Sequence, residues 1–155
     1  WKRWPLPNYI ELAENLLAEQ RVERVFMLVG PEDESWSDEA RSVKFPDGLS
    51  LYESADLIKT AKLLASARLY VGNDSGVTHL SALLGVPTVA IHGPTSPNQW
   101  GARGRAVSHV FSEATCPECS ATEPRKGPPH SCLRSVTPEM VLGAAPALVD
   151  ARSGC

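Results

Sequence analysis

The stretch YVGNDSGVTHLSALLGVPTVAIHGPTSP, residues 70–97, decides the fold of this chain. The apolar segment 69–71 predicts a buried strand that ends at Gly72, and polar residues 73–75 that suit a helix cap follow it. The helix predicted from Gly76 stops at Gly85, which suits the position just past a helix C-terminus. A second apolar segment, 88–92, predicts the next strand. The stretch therefore predicts a strand, a polar turn, a helix and another strand.

The polar turn before this helix has the properties of an anion-binding site. The first free N–H groups would belong to Gly76 and Val77, at a helix end that carries partial positive charge. The imidazole of His79, about one turn further on, can lean back toward the turn. Any α/β protein contains capped strand–helix turns, and a lone histidine is commonly a packed residue. Plain structure and phosphate binding therefore both stay open on this stretch alone.

Other segments of the chain repeat this pattern. Apolar runs at 25–29, 69–71 and 88–92 each stop at a glycine, and helical patterns separate them. This alternation predicts an α/β fold with a parallel sheet. Turns after parallel strands gather at one sheet edge, where such folds bind ligands, so one crevice can hold their polar side chains. These are Glu32, Glu34, Asp74, Ser75, Thr95 and Ser96.

The remaining segments predict further helices and a strand. We expect a helix over 8–19, a strand over 21–29, a short helix over 37–42 and loop over 44–50. Asp56 is expected to cap a helix over 57–66, and Thr137 one over 138–149. The buried faces are predicted from apolar spacing. They are Ile10, Ala13, Leu16 and Leu17; then Leu57, Ala61 and Leu64; then Val77, Leu80 and Leu84.

Five short motifs in order resemble one known family. They are Lys2-Arg3-Trp4-Pro5, Gly30-Pro31 with acidic residues after it, Asp74-Ser75-Gly76 with His79-Leu80, Gly85-Val86-Pro87, and Gly93-Pro94-Thr95. Over most of residues 1–112 the chain resembles the donor-binding half of glycosyltransferase family 9, the ADP-heptose:lipopolysaccharide heptosyltransferases. The resemblance implies a Rossmann-like parallel sheet flanked by helices, forming the C-terminal half of a GT-B type glycosyltransferase.

The resemblance also implies roles for individual residues. A donor such as ADP-heptose or a related nucleotide sugar would be held without any required cofactor. An acceptor hydroxyl would displace ADP, helped by a carboxylate base in the other domain, so no catalytic residue is expected in this chain. Glu34 is favoured over Glu32 for the ribose on spacing. The donor-binding residues implied are Lys2, Ser75, Gly76 and His79 for the pyrophosphate, Asp74 for the sugar, Glu34 for the ribose, and Thr95.

The length and net charge of the chain limit which activities and partners are expected. The 155 residues are expected to form a single donor-binding domain, with a cysteine-containing loop at about 112–135 and the N-terminal acceptor domain absent, so the chain alone is expected to be inactive. The lipopolysaccharide core acceptor would bind through that other domain. A net charge of −3 predicts no nucleic-acid partner. The expected location is cytoplasmic, and peripheral contact of the full-length protein with the inner face of the inner membrane stays open.

Two other function classes also stay open. A different GT-B glycosyltransferase or an epimerase would use this half for another sugar nucleotide, because the base is not readable from these turns. A non-catalytic sugar-nucleotide module is the other. Trp4 and Trp100 are each expected to pack, with stacking on a ligand as the alternative.

A second group of reactive side chains lies in a loop rich in proline and glycine. Cys116, Cys119, His130 and Cys132 have the donor types of a tetrahedral zinc site. The last two are separated by one residue only, where zinc motifs usually have two or more. A structural zinc, a disulfide and plain thiols therefore all stay open, with Cys155 expected to be free.

Overall fold

The computed structural model describes residues 2–31, 34–113, 116–120 and 129–145. It divides into two compact units, Leu6–Thr60 on one side and Trp1–Pro5 with Ala61–Cys155 on the other. Strands pair in two sets, β1 with β2 and β3 with β4 and β5. The predicted parallel α/β fold is confirmed, while the single-domain organisation stays a prediction. In the described ranges, no helix has the length and apolar character to cross a membrane.

The Leu6–Thr60 unit holds a pair of parallel strands. In chain order its elements are α1 (Leu6–Ala18), β1 (Val25–Val29), α2 (Glu34–Ser42) and β2 (Leu49–Glu53). Val25 lies opposite Leu49 in the register. The prediction of loop over 44–50 is wrong at its end, because β2 begins at Leu49. Pro46, Asp47 and Gly48 are typical turn residues, and Gly48 has a φ of +91°. This strong turn pattern masked the start of the five-residue strand that follows it.

Helix α1 packs on the core of this unit largely through the predicted face. Ala13 and Leu16 are buried, and Ile10 and Leu17 pack half-buried against the core cluster. The members of that cluster are Leu6, Ala13, Met27, Ala40 and Leu49.

Helix α3 (Leu57–Ser66) begins where its predicted cap lies. The Asp56 Oδ1 atom accepts hydrogen bonds from the N–H groups of Ile58 at 2.9 Å and Lys59 at 3.2 Å. The predicted face is wrong at Leu57, which is 65% exposed. Thr60 and Leu64 are the buried pair instead, one helical turn apart.

The other unit contains a three-stranded parallel sheet with β4 in its centre. All four residues of β4 are buried. The elements are β3 (Tyr70–Asn73), α4 (Gly76–Leu83), β4 (Thr88–Ile91), α5 (Pro97–Trp100), β5 (Val107–Val110), α6 (Pro117–Ser120), α7 (Ser131–Arg134) and α8 (Pro138–Ala144). Thr137 caps α8 as predicted, and residues 146–149 of the longer predicted helix lie outside the described residues.

Helix α4 approaches the sheet through small residues. Its buried residues are Thr78, Ser81 and Ala82, and the Ser81 and Thr88 hydroxyls lie 2.9 Å apart. The predicted inward face is therefore wrong at Leu84, which is 40% exposed. Small side chains let the helix lie close to β4. The buried side of α4 therefore carries small residues rather than the large apolar residues from which it was predicted.

The turn after α4 gives a direct test of backbone strain. Gly85 has φ +73°, and an added Cβ would meet no atom within 4 Å. Gly85→Ala is therefore expected to cost about 1 kcal/mol of unfolding free energy through the left-handed backbone alone. Gly143, inside α8 with an equally open Cβ position, is the matched control. Gly143→Ala should gain about 0.5–1 kcal/mol in urea unfolding, and a change of the same sign in both variants would contradict this account.

Candidate functional site

The turn between β3 and α4 presents a helix start to solvent. Ser75 is the N-cap, and its carbonyl accepts the N–H groups of Thr78 at 3.1 Å and His79 at 3.2 Å. The Ser75 hydroxyl makes no capping hydrogen bond. Its oxygen lies 3.2 Å from the Thr78 hydroxyl instead.

The first two N–H groups of α4 belong to Gly76 and Val77. They form no hydrogen bond with any part of the chain that the structure describes. Gly76 is exposed, and an added Cβ there would meet nothing within 4 Å. Two donors and an open approach therefore stand at the positive end of the helix.

Thr78 stabilises this turn from the buried side, a role that the sequence analysis missed. The residue is fully buried, and its hydroxyl donates to the Asn73 carbonyl at the end of β3. The Tyr70 hydroxyl lies 3.4 Å from it, and burial raises the pKa of that phenol, which therefore stays neutral. These contacts fix the turn without using the Gly76 and Val77 N–H groups.

Asp74 and His79 lie at the mouth of the turn. The Asp74 Oδ1 and His79 Nε2 atoms are 3.6 Å apart, so they form an ion pair whenever the imidazole is protonated. The Asp74 side chain is 16% exposed and that of His79 is 45% exposed. The imidazole can thus reach a ligand on the turn, while the carboxylate is largely shielded.

The first residues of the chain are tied to the same turn through Trp4. Its backbone N–H donates to Asn73 Oδ1 at 2.9 Å, and its indole N–H donates to the Val136 carbonyl at 2.8 Å. Trp4 is fully buried, which confirms packing and excludes stacking on a ligand. Lys2, two residues earlier, is exposed.

The turn after β4 carries Thr95, which is half-buried. The Asp74 N–H donates to the Ile91 carbonyl at 3.1 Å, so this turn starts beside the β3–α4 turn. Gly93 is required there, because an added Cβ would lie 2.6 Å from Leu133. Trp100 is 58% exposed, which disagrees with the expected packing role.

The acidic loop belongs to the Leu6–Thr60 unit. Glu34 is the first residue of α2, and its side chain lies outside the described part of the structure. Glu32 lies outside it entirely. The ribose-binding role of Glu34 therefore stays a prediction.

Two histidines that the sequence analysis did not single out meet at the carboxyl ends of β4 and β5. The His92 Nε2 and His109 Nδ1 atoms lie 2.9 Å apart, and the ring centroids are 5.0 Å apart. His109 also hydrogen-bonds to the Ala102 backbone, and which of the two facing ring nitrogens donates depends on the tautomers of the two imidazoles. The fully buried His92 Nδ1 then has no hydrogen-bond partner among the described residues.

Both histidines resist protonation. Burial lowers the pKa of His92 first, and the neighbouring His109 and His79 lower it further, while Asp74 opposes them. Burial also lowers the pKa of His109, against the Ala102 hydrogen bond and Asp74. The pair is therefore neutral at neutral pH, with one shared hydrogen bond.

The structure brings together the four side chains predicted as a metal site. Cys116 precedes α6, Cys119 lies within it, His130 caps α7, and Cys132 lies within α7. The ligand atoms of these residues, hereafter the cysteine cluster, all lie within 4.8 Å of one another. Among the described residues, these three cysteines form no disulfide bond with one another, so the structure does not contain the disulfide alternative within the cluster.

The thiols of the cysteine cluster differ in acidity. Burial raises the pKa of Cys119 and Cys132 above the usual range, and the neighbouring thiols raise the pKa of Cys119 further. Burial acts the same way on Cys116, but hydrogen bonds, first from Ser131 and Cys119, outweigh it and bring its pKa to about 6.

Comparison with known proteins shows one family. Residues 1–128 match glycosyltransferase family 9 (heptosyltransferase). Lipopolysaccharide heptosyltransferase 1 of Pseudomonas aeruginosa is 36% identical over 121 residues, which is 76% of this chain and 32% of that protein. Lipooligosaccharide heptosyltransferase 2 of Haemophilus influenzae is 31% identical over 150 residues, 91% of this chain and 41% of that protein. The chain thus spans between 32% and 41% of these relatives.

Solved structures show the same fold. The structure of E. coli ADP-heptose lps heptosyltransferase II matches with a TM-score of 0.77 at 24% identity, over 99% of this chain and 44% of that one. E. coli heptosyltransferase WaaC with ADP matches with a TM-score of 0.57 at 29% identity, over 70% of this chain and 34% of that one.

The histidine pair makes stability depend on pH. Below pH about 6.5, His92 binds a proton more readily in the unfolded chain than in the folded protein, where its pKa is lowered. The free energy of unfolding should therefore fall as the pH drops from about 7 to about 5. The slope should approach about 1.4 kcal/mol per pH unit for this group. In His92→Gln, which keeps a donor but does not titrate, urea unfolding should show a flatter slope. Equal slopes in the two proteins would contradict the assignment.

Proposed function

The chain belongs to glycosyltransferase family 9, and from that premise we propose that it supplies the donor-binding part of an enzyme transferring heptose from ADP-heptose to the lipopolysaccharide inner core. The observation that carries this proposal is the open start of α4. Its two N–H donors at Gly76 and Val77 stand in the same unit as Lys2, the first residue of the Lys-Arg-Trp-Pro motif.

In this proposal the pyrophosphate binds at the β3–α4 turn. The two negative charges of the bridging group are offset by the Lys2 ammonium and by the partial positive charge of the helix end. Hydrogen bonds from the Lys2 ammonium, the Gly76 N–H and the His79 imidazole to the charged phosphates strengthen the contact. No bound metal is needed for this charge balance.

The sugar and the nucleoside lie on either side of that turn. The shielded Asp74 carboxylate accepts hydrogen bonds from sugar hydroxyls, because a carboxylate only accepts and would repel the phosphates. Thr95, on the neighbouring turn, offers a hydroxyl to the donor. Glu34 binds the two ribose hydroxyls as the acidic residue of the second loop.

The reaction itself is a displacement at the anomeric carbon. An acceptor hydroxyl forms the new C–O bond, the bond from the anomeric carbon to the phosphate oxygen breaks, and ADP leaves with the electron pair. The proton of the hydroxyl passes to a carboxylate general base in the remainder of the enzyme. This chain holds and orients the donor, which is the part of catalysis supplied by positioning. Such an enzyme meets its lipid-linked acceptor at the cytoplasmic face of the inner membrane.

The Lys2 ammonium gives a specific test of the pyrophosphate site. Lys2→Ala should weaken ADP binding by about 1.5–3 kcal/mol, the loss of a charge-assisted hydrogen bond. Lys62→Ala, which removes an exposed lysine of α3, is the matched control and should leave the affinity unchanged. Isothermal titration calorimetry measures both, and an unchanged affinity in Lys2→Ala would remove this residue from the site.

Gly76 separates ligand contact from folding. The space around its Cβ position is open, so Gly76→Val should unfold at nearly the same urea concentration as the unaltered protein. The branched side chain would occupy the volume of the anion, so ADP binding should be lost. Retained ADP binding in a folded Gly76→Val protein would place the phosphates elsewhere.

Donor binding by this chain and sugar transfer by the whole enzyme can be tested separately. Residues 1–155 alone should bind ADP in preference to UDP and should not transfer heptose to a heptose-deficient lipopolysaccharide. The protein containing the acceptor domain should do both. Transfer by residues 1–155 alone would put the general base in this chain, and tighter binding of UDP would favour another sugar-nucleotide enzyme.

A further inference from the structure

Two distances within the cysteine cluster are close to those between the ligand atoms of a tetrahedral metal site. Zn–S bonds of about 2.3 Å and Zn–N bonds of about 2.0–2.1 Å place tetrahedral ligand atoms roughly 3.5–3.8 Å apart. The Cys119 Sγ atom lies 3.3 Å from His130 Nδ1 and 3.6 Å from Cys132 Sγ. A disulfide needs sulfur atoms about 2.05 Å apart, so this spacing suits a shared ion better than a bond.

The burial and the hydrogen bonds of the cysteine cluster are those expected around a structural metal ion. Cys116, His130 and Cys132 are buried, with exposures of 7%, 2% and 6%. The Cys116 carbonyl accepts the Cys119 N–H at 3.1 Å, a tight turn that directs two thiols to one point. The Ser131 hydroxyl donates to Cys116 Sγ at 3.4 Å, as outer groups do around metal-bound sulfur.

Helix α7, which contains Cys132 and begins after His130, also contacts segments that the proposed donor site uses. Leu133, next to Cys132, is fully buried against Gly93, where no Cβ would fit. Three residues further on, the Val136 carbonyl accepts the indole N–H of Trp4. The position of α7 therefore affects both the Gly93 turn and the segment that carries Lys2.

We propose that Cys116, Cys119, His130 and Cys132 bind one Zn²⁺ ion that locks α7 and thereby holds the Gly93 turn and the Lys2 segment in place for the donor. Three sulfurs and one imidazole nitrogen are a recognised structural donor set for zinc, and soft thiolates exclude Mg²⁺ and Ca²⁺. Four protein ligands leave no open coordination position, so the ion takes no part in sugar transfer. The coupling to the donor rests on the proposed function, whereas the metal site does not.

The first measurement is the metal content of protein purified without added metal. Elemental analysis should find about one zinc per chain. Cobalt(II) in its place should show the intense thiolate-to-cobalt absorption of a tetrahedral site. Cys119→Ser should lose the metal, and Cys132→His, which keeps four ligands, should retain it. Cys155→Ser removes a thiol outside the cluster and should leave the zinc content unchanged.

The second measurement separates the metal from its effect on the donor. Chelation should lower the melting temperature of the unaltered protein by several degrees and not that of Cys119→Ser, since an ion bound only to the folded state stabilises it. ADP affinity should fall severalfold on chelation and return with added zinc.

Each outcome decides one part of the proposal. Metal-free protein with all four thiols reactive to a thiol reagent without denaturant, or unchanged zinc in Cys119→Ser, would overturn the site. Zinc that can be removed with no change in ADP affinity would overturn the coupling to the donor. Zinc present in a protein that never binds ADP would overturn the proposed function and leave the metal site standing.

Discussion

The burial of Trp4 is the constraint on which the proposed donor site depends. A fully buried indole carries an N–H that must be satisfied, and here it donates to the Val136 carbonyl. The backbone N–H of the same residue donates to Asn73 Oδ1. One residue thus joins the start of the chain, the end of β3 and the segment before α8. This junction ties the segment that carries Lys2 to the end of β3.

The β3–α4 turn illustrates how a fold satisfies its own polar groups and still leaves some for a ligand. Thr78 bonds to Asn73, and Ser75 accepts from the next turn of the helix, so the loop is held by groups behind it. The Gly76 and Val77 N–H groups in front keep their bonding capacity. Small residues on α4 allow this helix to lie close to β4. The Asp74–Ile91 hydrogen bond places the start of the Thr95 turn beside the β3–α4 turn. A turn that its own hydrogen bonds hold rigid, and that keeps unused N–H donors on its exposed side, is what preorganised anion binding requires.

Local signals in the sequence were sufficient for much of this structure. The Asp56 and Thr137 caps, the Gly85 turn and the apolar strands 25–29 and 88–92 rest on contacts within a few residues, and all were predicted. The grouping of the four side chains of the cysteine cluster was also predicted, from thiol and imidazole donors at short spacing in the sequence. The family resemblance supplied the donor residues, whose roles stay proposals. Where a short strand followed a strong turn, as at Leu49, the local signal pointed the wrong way.

By itself, the sequence determined the alternation of strands and helices, their parallel pairing and the chemistry available at each turn, because these follow from short-range spacing. Only the tertiary structure decided which groups meet. The hydrogen bonds of Trp4 join residues 69 and 132 positions apart, and the His92–His109 pair exists because β4 and β5 are neighbours. The buried face of α4 was likewise decided by how close the helix approaches the sheet. Such contacts depend on the packing of distant segments, and no local pattern encodes that distance.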